Sequence, residues 1–93
     1  MKASPLDIER YRKASEAVKE SREGIIGVSL VAKHKNRYLY RAKLPDLLGG
    51  GQKSFYNPFA ACCWYNVTVK KKLKDDAVLC DPLAIARQFK DLI

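Results

Sequence analysis

Cysteine, histidine and long apolar runs are all scarce in this chain of 93 residues, and each scarcity removes a class of function. There are three cysteines, Cys62, Cys63 and Cys80: an odd number, two of them adjacent, with no C-x-x-C pair. That pattern suits neither a disulfide framework nor a tetrahedral zinc site, and it points to a reducing compartment, the nucleus, the cytosol or an organelle matrix, not to secretion. In that setting the sequon Asn66-Val67-Thr68 reads as a coincidence. No apolar run approaches the roughly 18 residues needed to cross a bilayer, so no membrane association is expected. Acids are short as well. Between residues 25 and 74 Asp46 stands alone, His34 sits in a basic turn, and Asp75-Asp76 has no third ligand beside it. A hydrolase or nuclease needs clustered carboxylates, a base or a metal site. The expectation is therefore no enzyme, no metal, no cofactor and no small-molecule substrate.

What the chain does contain is apolar mass and positive charge. Hydrophobic residues make up 47% and charged residues 30%, which is too apolar for a disordered tail. A single small domain follows, burying about 60% of the surface its unfolded chain exposes. The formal net charge is +8. It is not spread evenly: residues 1–24 carry six bases against five acids, residues 25–74 carry ten bases against Asp46, and residues 75–93 carry two bases against four acids. A basic block of this kind on a folded chain favours an anionic partner, usually nucleic acid.

Local signals divide the chain into three parts: an N-terminal helix in 1–24, a central domain in 25–80 and a C-terminal helix in 81–93. Ser4 can cap a helix over 4–23, with Pro5 at its first position, Asp7 completing a capping-box-like pattern and Gly24 closing it. Ile8, Tyr11, Ser15 and Val18 give it a narrow apolar stripe. Residues 25–33 read as a strand with Ile26, Val28, Leu30 and Ala32 on one face and Gly27, Ser29, Val31 and Lys33 on the other. Tyr38 to Leu44 alternates in the same way, with Tyr38, Tyr40, Ala42 and Leu44 against Leu39, Arg41 and Lys43. A short third strand, Gln52 to Tyr56, returns after Gly49-Gly50-Gly51. Residues 57–74 carry both signals. Asn57-Pro58 and the spacing of Ala61, Cys62, Tyr65, Val69 and Leu73 favour a helix, while Cys63 to Val69 has the composition of a strand. Cys62 and Cys63 read as small buried hydrophobes, and Trp64 as packing under the N-terminal helix. Asp81-Pro82 opens a last helix whose stripe is Ile85, Ala86, Phe89 and Leu92.

The segment from Gly27 to Leu79 resembles the Apetala-two/ethylene-response-factor (AP2/ERF) DNA-binding domain. Gly27-Val28 matches the family's opening. Tyr40-Arg41-Ala42-Lys43-Leu44 matches its second strand, and Phe55, Ala61-Cys62, Tyr65-Asn66 and Ala77-Val78-Leu79 follow in order with unbroken spacing. The resemblance implies an α+β fold, a three-stranded antiparallel sheet packed on one long helix, here flanked by N- and C-terminal helices, and it implies a helix over 57–74. It also implies nucleic-acid binding through the exposed sheet face. The family's arginine and tryptophan base readers have no counterparts: their positions hold Gly27, Ser29, Val31, Lys33, Lys43, Pro45, Gly49 and Gly51. What remains are candidate phosphate contacts at Lys33, Lys35, Arg37, Arg41, Lys43 and Lys53, with Lys70, Lys71 and Lys72 at the helix end.

Two readings of function follow. One is a small architectural RNA-binding subunit of a ribonucleoprotein such as a mitochondrial ribosome, favoured because the chain shows no activation segment or further domain. The other is a sequence-specific regulator binding double-stranded DNA. In either, the partners are rRNA or duplex DNA, and neighbouring proteins through the terminal helices.

Overall fold

The computed structural model describes residues 4–20 and 25–92, His34 by its backbone alone. The first helix, α1, spans Pro5–Glu20. Ser4 caps it, its hydroxyl accepting from the Asp7 amide at 3.2 Å. The closing role expected of Gly24 lies outside the described residues.

Three antiparallel strands follow in the order β1 (Val28–His34), β2 (Arg37–Lys43) and β3 (Gln52–Phe55). The β1–β2 hairpin turns through Lys35 and Asn36, both at positive φ of 49° and 66°. Two such residues in succession give the mirror-image turn whose twist matches that of paired strands. The β2–β3 connection holds a 3₁₀ turn at Asp46–Leu48 and then Gly49, Gly50 and Gly51, all at positive φ, a path that side chains would resist. The long helix α2, Pro58–Leu73, packs across the sheet. Asn57 caps it by accepting from the amides of Phe59 and Ala60, and this cap, with Pro58 in the first turn, outweighs the strand-like composition of 63–69. A 3₁₀ turn at Lys74–Asp76 leads to an extended stretch and then to α3, Pro82–Phe89, capped by Asp81.

The architecture is α+β, a three-stranded antiparallel sheet on one long helix with a helix at either end. One hydrophobic cluster holds it together. Tyr40, Ala42 and Val28 from the sheet meet Ala61, Cys62, Tyr65, Val69 and Leu73 from α2, and the terminal helices add Tyr11, Ile85 and Phe89. Alanines at 42 and 61, both fully buried, let helix and sheet approach closely. Phe89 stands edge-on to Tyr40 at 5.1 Å between centroids, so the stripe of α3 is used within the chain.

Two expectations about packing are corrected. Cys63 is exposed, because neighbours on a helix point about 100° apart and Cys62 already faces the core. Trp64 lies against Phe55 of β3, with ring centroids 6.3 Å apart. It is Tyr65, beside Tyr11, that meets the N-terminal helix. Phe55, on the edge strand, is only partly buried.

The stretch 77–81 has no strand partner, yet Val78 and Cys80 are buried. Side chains serve its backbone. The Tyr11 hydroxyl accepts from the Val78 amide at 2.7 Å and donates to its carbonyl at 3.2 Å. The Asn66 amide accepts from the Cys80 N–H at 2.6 Å and donates to its carbonyl at 2.9 Å. Tyr40 is the opposite case, its hydroxyl buried without a partner.

These differences set opposite signs for one chemical change. Tyr11→Phe leaves two buried backbone groups unpaired and should lower unfolding free energy by about 1–3 kcal/mol. Tyr40→Phe removes an unpaired hydroxyl and should be neutral or stabilising. Urea denaturation of both variants checks the pair; equal losses would contradict this account of the clasp. Gly27 offers a second test. Its φ is +75° and an added Cβ would overlap the Tyr65 ring. Gly27→Ala should therefore lose about 2–4 kcal/mol, the sum of overpacking and left-handed strain, by the same measurement.

Candidate nucleic-acid interface

Residues directly opposite one another across paired strands share a face, so the pairing register sorts the candidate cations. Ser29 pairs with Arg41, and Arg41 with Ser54; Lys43 pairs with Gln52. These five residues therefore lie together, away from Tyr40 and Ala42 and so away from α2. Arg37 and Leu39 share their parity on β2. Tyr56, just past β3, continues the parity of Gln52 and Ser54. The result is an outer face with Arg37, Arg41 and Lys43 across it. Lys43, Gln52, Ser54 and Tyr56 are exposed, and no acid occurs on any of the three strands.

The arginines are held in different ways. The guanidinium carbon of Arg37 sits 4.1 Å from the centroid of the Tyr56 ring, a cation–π stack on an open surface. Arg41, in the middle strand, is partly buried. Its Nε is buried and unpartnered, which leaves the two terminal nitrogens as the donors that a ligand can reach. Arginine forks of this kind suit phosphate oxygens.

The remaining candidates stand elsewhere. An irregularity between Leu30 and Ala32 adds a residue to β1, so Lys33 comes to face Tyr38 and its ammonium lies 5.8 Å from that ring. Lys53 is opposite Ala42, with its ammonium 5.6 Å from the Phe55 ring. Both belong to the helix side of the sheet. The expected alternation of β1 holds through Val28 and breaks at this bulge, which leaves Leu30 and Val31 about 40% exposed. Lys35 is at the tip of the hairpin. Lys70, Lys71 and Lys72 form the exposed last turn of α2, where they oppose its dipole favourably, on the layer across the sheet from Arg41.

Sequence reading missed Tyr56, Gln52 and Ser54 as members of the face, while Ser29 lies on the exposed side as expected. The period-two pattern of β3 carried a signal for Tyr56, since it places this residue level with Ser54 and Gln52. An open groove of about 1000 Å³ between α1 and the end of the sheet borders this face: it is lined by Tyr11, Ala14, Ile26, Leu44 and Tyr65 among others, and shares Ser29 and Lys43 with it. Asp7 and Asp46 stand there beside Arg10 and Lys43, so it lacks the one-sided charge of the outer face. Among the described residues no cluster of His, Cys, Asp or Glu could hold a metal ion, and no helix is long and apolar enough to cross a membrane. Compared with protein-family models, curated proteins and solved structures, the chain matches none.

The buried thiols lie away from this face. Burial pushes Cys80 up to about 12, and it raises Cys62, whose Sγ donates to the Cys80 carbonyl at 3.5 Å. Burial raises Tyr65 and Tyr40 too. A group that holds its proton more tightly when folded contributes stability below its unfolded value and loses it as pH rises. The urea midpoint should therefore fall between pH 9 and 12, and less steeply in Cys80→Ala. In the native state at pH 8 a thiol reagent should modify Cys63 alone; rapid reaction of all three cysteines would contradict the burial of Cys62 and Cys80.

Proposed function

We propose that this chain is a non-enzymatic nucleic-acid-binding protein that grips backbone phosphates with the outer face of its sheet. The module is of AP2/ERF type, put to use as a small architectural RNA-binding subunit of a ribonucleoprotein in the mitochondrial matrix or nucleus. One observation carries this reading: Arg37, Arg41 and Lys43 share a single uncovered face whose strands hold no acid. Cations so placed meet an anionic polymer without desolvating a counter-charge of their own. The face offers few planar base readers. Bidentate arginine contact with guanine is the commonest specific contact to duplex DNA, and of the two arginines here one is already stacked on tyrosine. Phosphate contacts position a protein and carry no sequence information directly, as expected of an architectural subunit.

Each phosphate neutralised steepens the plot of log affinity against log salt by about 0.9 on duplex DNA and about 0.7 on single strands. Three contacts give a slope of roughly −3 on duplex and −2 on single strands. Arg41→Ala combined with Lys43→Ala should flatten it by between one and two units and weaken binding about equally across sequences. The measurement is a titration of wild type and double mutant against unrelated duplexes and structured RNAs at several salt concentrations. A strong preference for one short duplex, lost in the double mutant while nonspecific binding persists, would replace this reading with that of a sequence-specific DNA regulator.

A further inference from the structure

The geometry points to single-stranded RNA as the form of nucleic acid this face takes: we propose that an unpaired base stacks on the Arg37–Tyr56 pair while the strand's phosphates run over Arg41 and Lys43. The inference rests on the functional reading above and makes it specific. A phosphate clamp alone needs charge and nothing else, yet at one end of this face a guanidinium lies 4.1 Å from the centre of a tyrosine ring that is itself 46% exposed. An arginine used only for its charge has no need of a fixed plane. The guanidinium beside the ring and the exposed tyrosine each carry a flat face, and unstacked bases use such planes, aromatic or guanidinium, as platforms. Bases paired within a duplex keep their flat faces inside the stack and cannot reach one.

The spacing along β2 suits a strand laid lengthwise. Arg41 is four residues beyond Arg37, about 13 Å along the strand, and Lys43 is about 7 Å further. The first interval leaves room for a base and its sugar between the platform and the first phosphate. The second is comparable with the separation of neighbouring phosphates on one strand. The shielded Nε of Arg41 directs approach to its terminal nitrogens, end-on, as one phosphate would meet them. Neutral hydrogen-bonding side chains flank both cations: Ser29 and Ser54 beside Arg41, and Gln52 beside Lys43. A ribose 2′-hydroxyl both donates and accepts, and is what lets a protein tell RNA from DNA. Serine and glutamine can answer it in both senses.

The test is fluorescence anisotropy with three probes of one sequence: single-stranded RNA, its RNA duplex, and single-stranded DNA. The proteins are wild type, Arg37→Lys, Tyr56→Leu and Tyr56→Phe, all changes at exposed positions and each checked for folding by circular dichroism. Arg37→Lys keeps the charge and removes the plane. Single-stranded RNA should bind at least about fivefold more tightly than duplex, and more tightly than single-stranded DNA. Arg37→Lys and Tyr56→Leu should each weaken single-stranded RNA binding by about fivefold or more while leaving the salt slope unchanged, and Tyr56→Phe should retain wild-type affinity. Equal or tighter duplex binding, or wild-type affinity for RNA in both Arg37→Lys and Tyr56→Leu, would overturn the stacking assignment and leave the phosphate clamp standing. Equal binding of single-stranded DNA would overturn the assignment to RNA. Wild type that binds none of the probes at low salt would overturn the functional reading, and this inference with it.

Discussion

The extended stretch 77–81 buries Val78 and Cys80 without a strand to pair with, and the arrangement of the chain follows from how that is managed. Buried backbone N–H and C=O groups need partners, and neighbouring strands or helical turns normally supply them. Here a tyrosine from α1 serves Val78 and an asparagine from α2 serves Cys80, each giving and accepting one bond. The two clasps join pieces that sequence alone would separate. Tyr11 ties the N-terminal helix to a segment 67 residues away, and Asn66 holds the path of the chain as it enters α3. Losing either partner strands a buried donor and acceptor, a penalty of about 1–3 kcal/mol. A small domain has about 5–15 kcal/mol of net stability, so the terminal helices belong to the core and are not appendages.

That packing also decides which surface is left for a ligand. The core gathers on one side of the sheet, with Ala42 and Ala61 allowing close approach of α2 and Phe89 of α3 lying against Tyr40. An antiparallel sheet can keep its other side in water, and the side chains that do so here are Arg41, Lys43 and their uncharged neighbours. The apolar stripe of α3 is occupied within the chain, and the outer sheet face stays uncovered. The stability of the fold and the uncovered outer face of the sheet thus come from the same one-sided arrangement.

The parts of this fold that sequence reveals are those set by neighbours along the chain. Ser4, Asn57 and Asp81 announce their helices because an N-cap works within three residues. The alternation of β2 is plain because a central strand is patterned on both faces. The bulge in β1 left no such mark. An added residue there changes no composition, but it turns Lys33 from the outer side to the helix side. Lys53 shares the parity of Phe55 on β3, and the register places it on the helix side, opposite Ala42. The clasps by Tyr11 and Asn66 were hidden for a related reason: each joins residues far apart in sequence, and neither side chain stands out from its helical pattern. Of the site, Arg41 and Lys43 were legible from their own strand, whereas Tyr56 gained its meaning from Arg37 across the sheet.

The separation of the cations into layers bears on how such a face works. Ten bases lie between residues 25 and 74, but three of them stand together on the outer face. Lys70, Lys71 and Lys72 belong to the helix layer, and packed layers are about 10 Å apart. The Debye length at physiological salt is about 8 Å, so these lysines act on a strand held at the outer face only through a screened field. A field of that kind concentrates an anionic polymer near the molecule and speeds encounter, while adding little to the contacts that hold it. On the proposed function, the net charge would govern approach, and the three outer cations with Tyr56 would form the grip. The two can be separated because they sit on opposite sides of the same three strands.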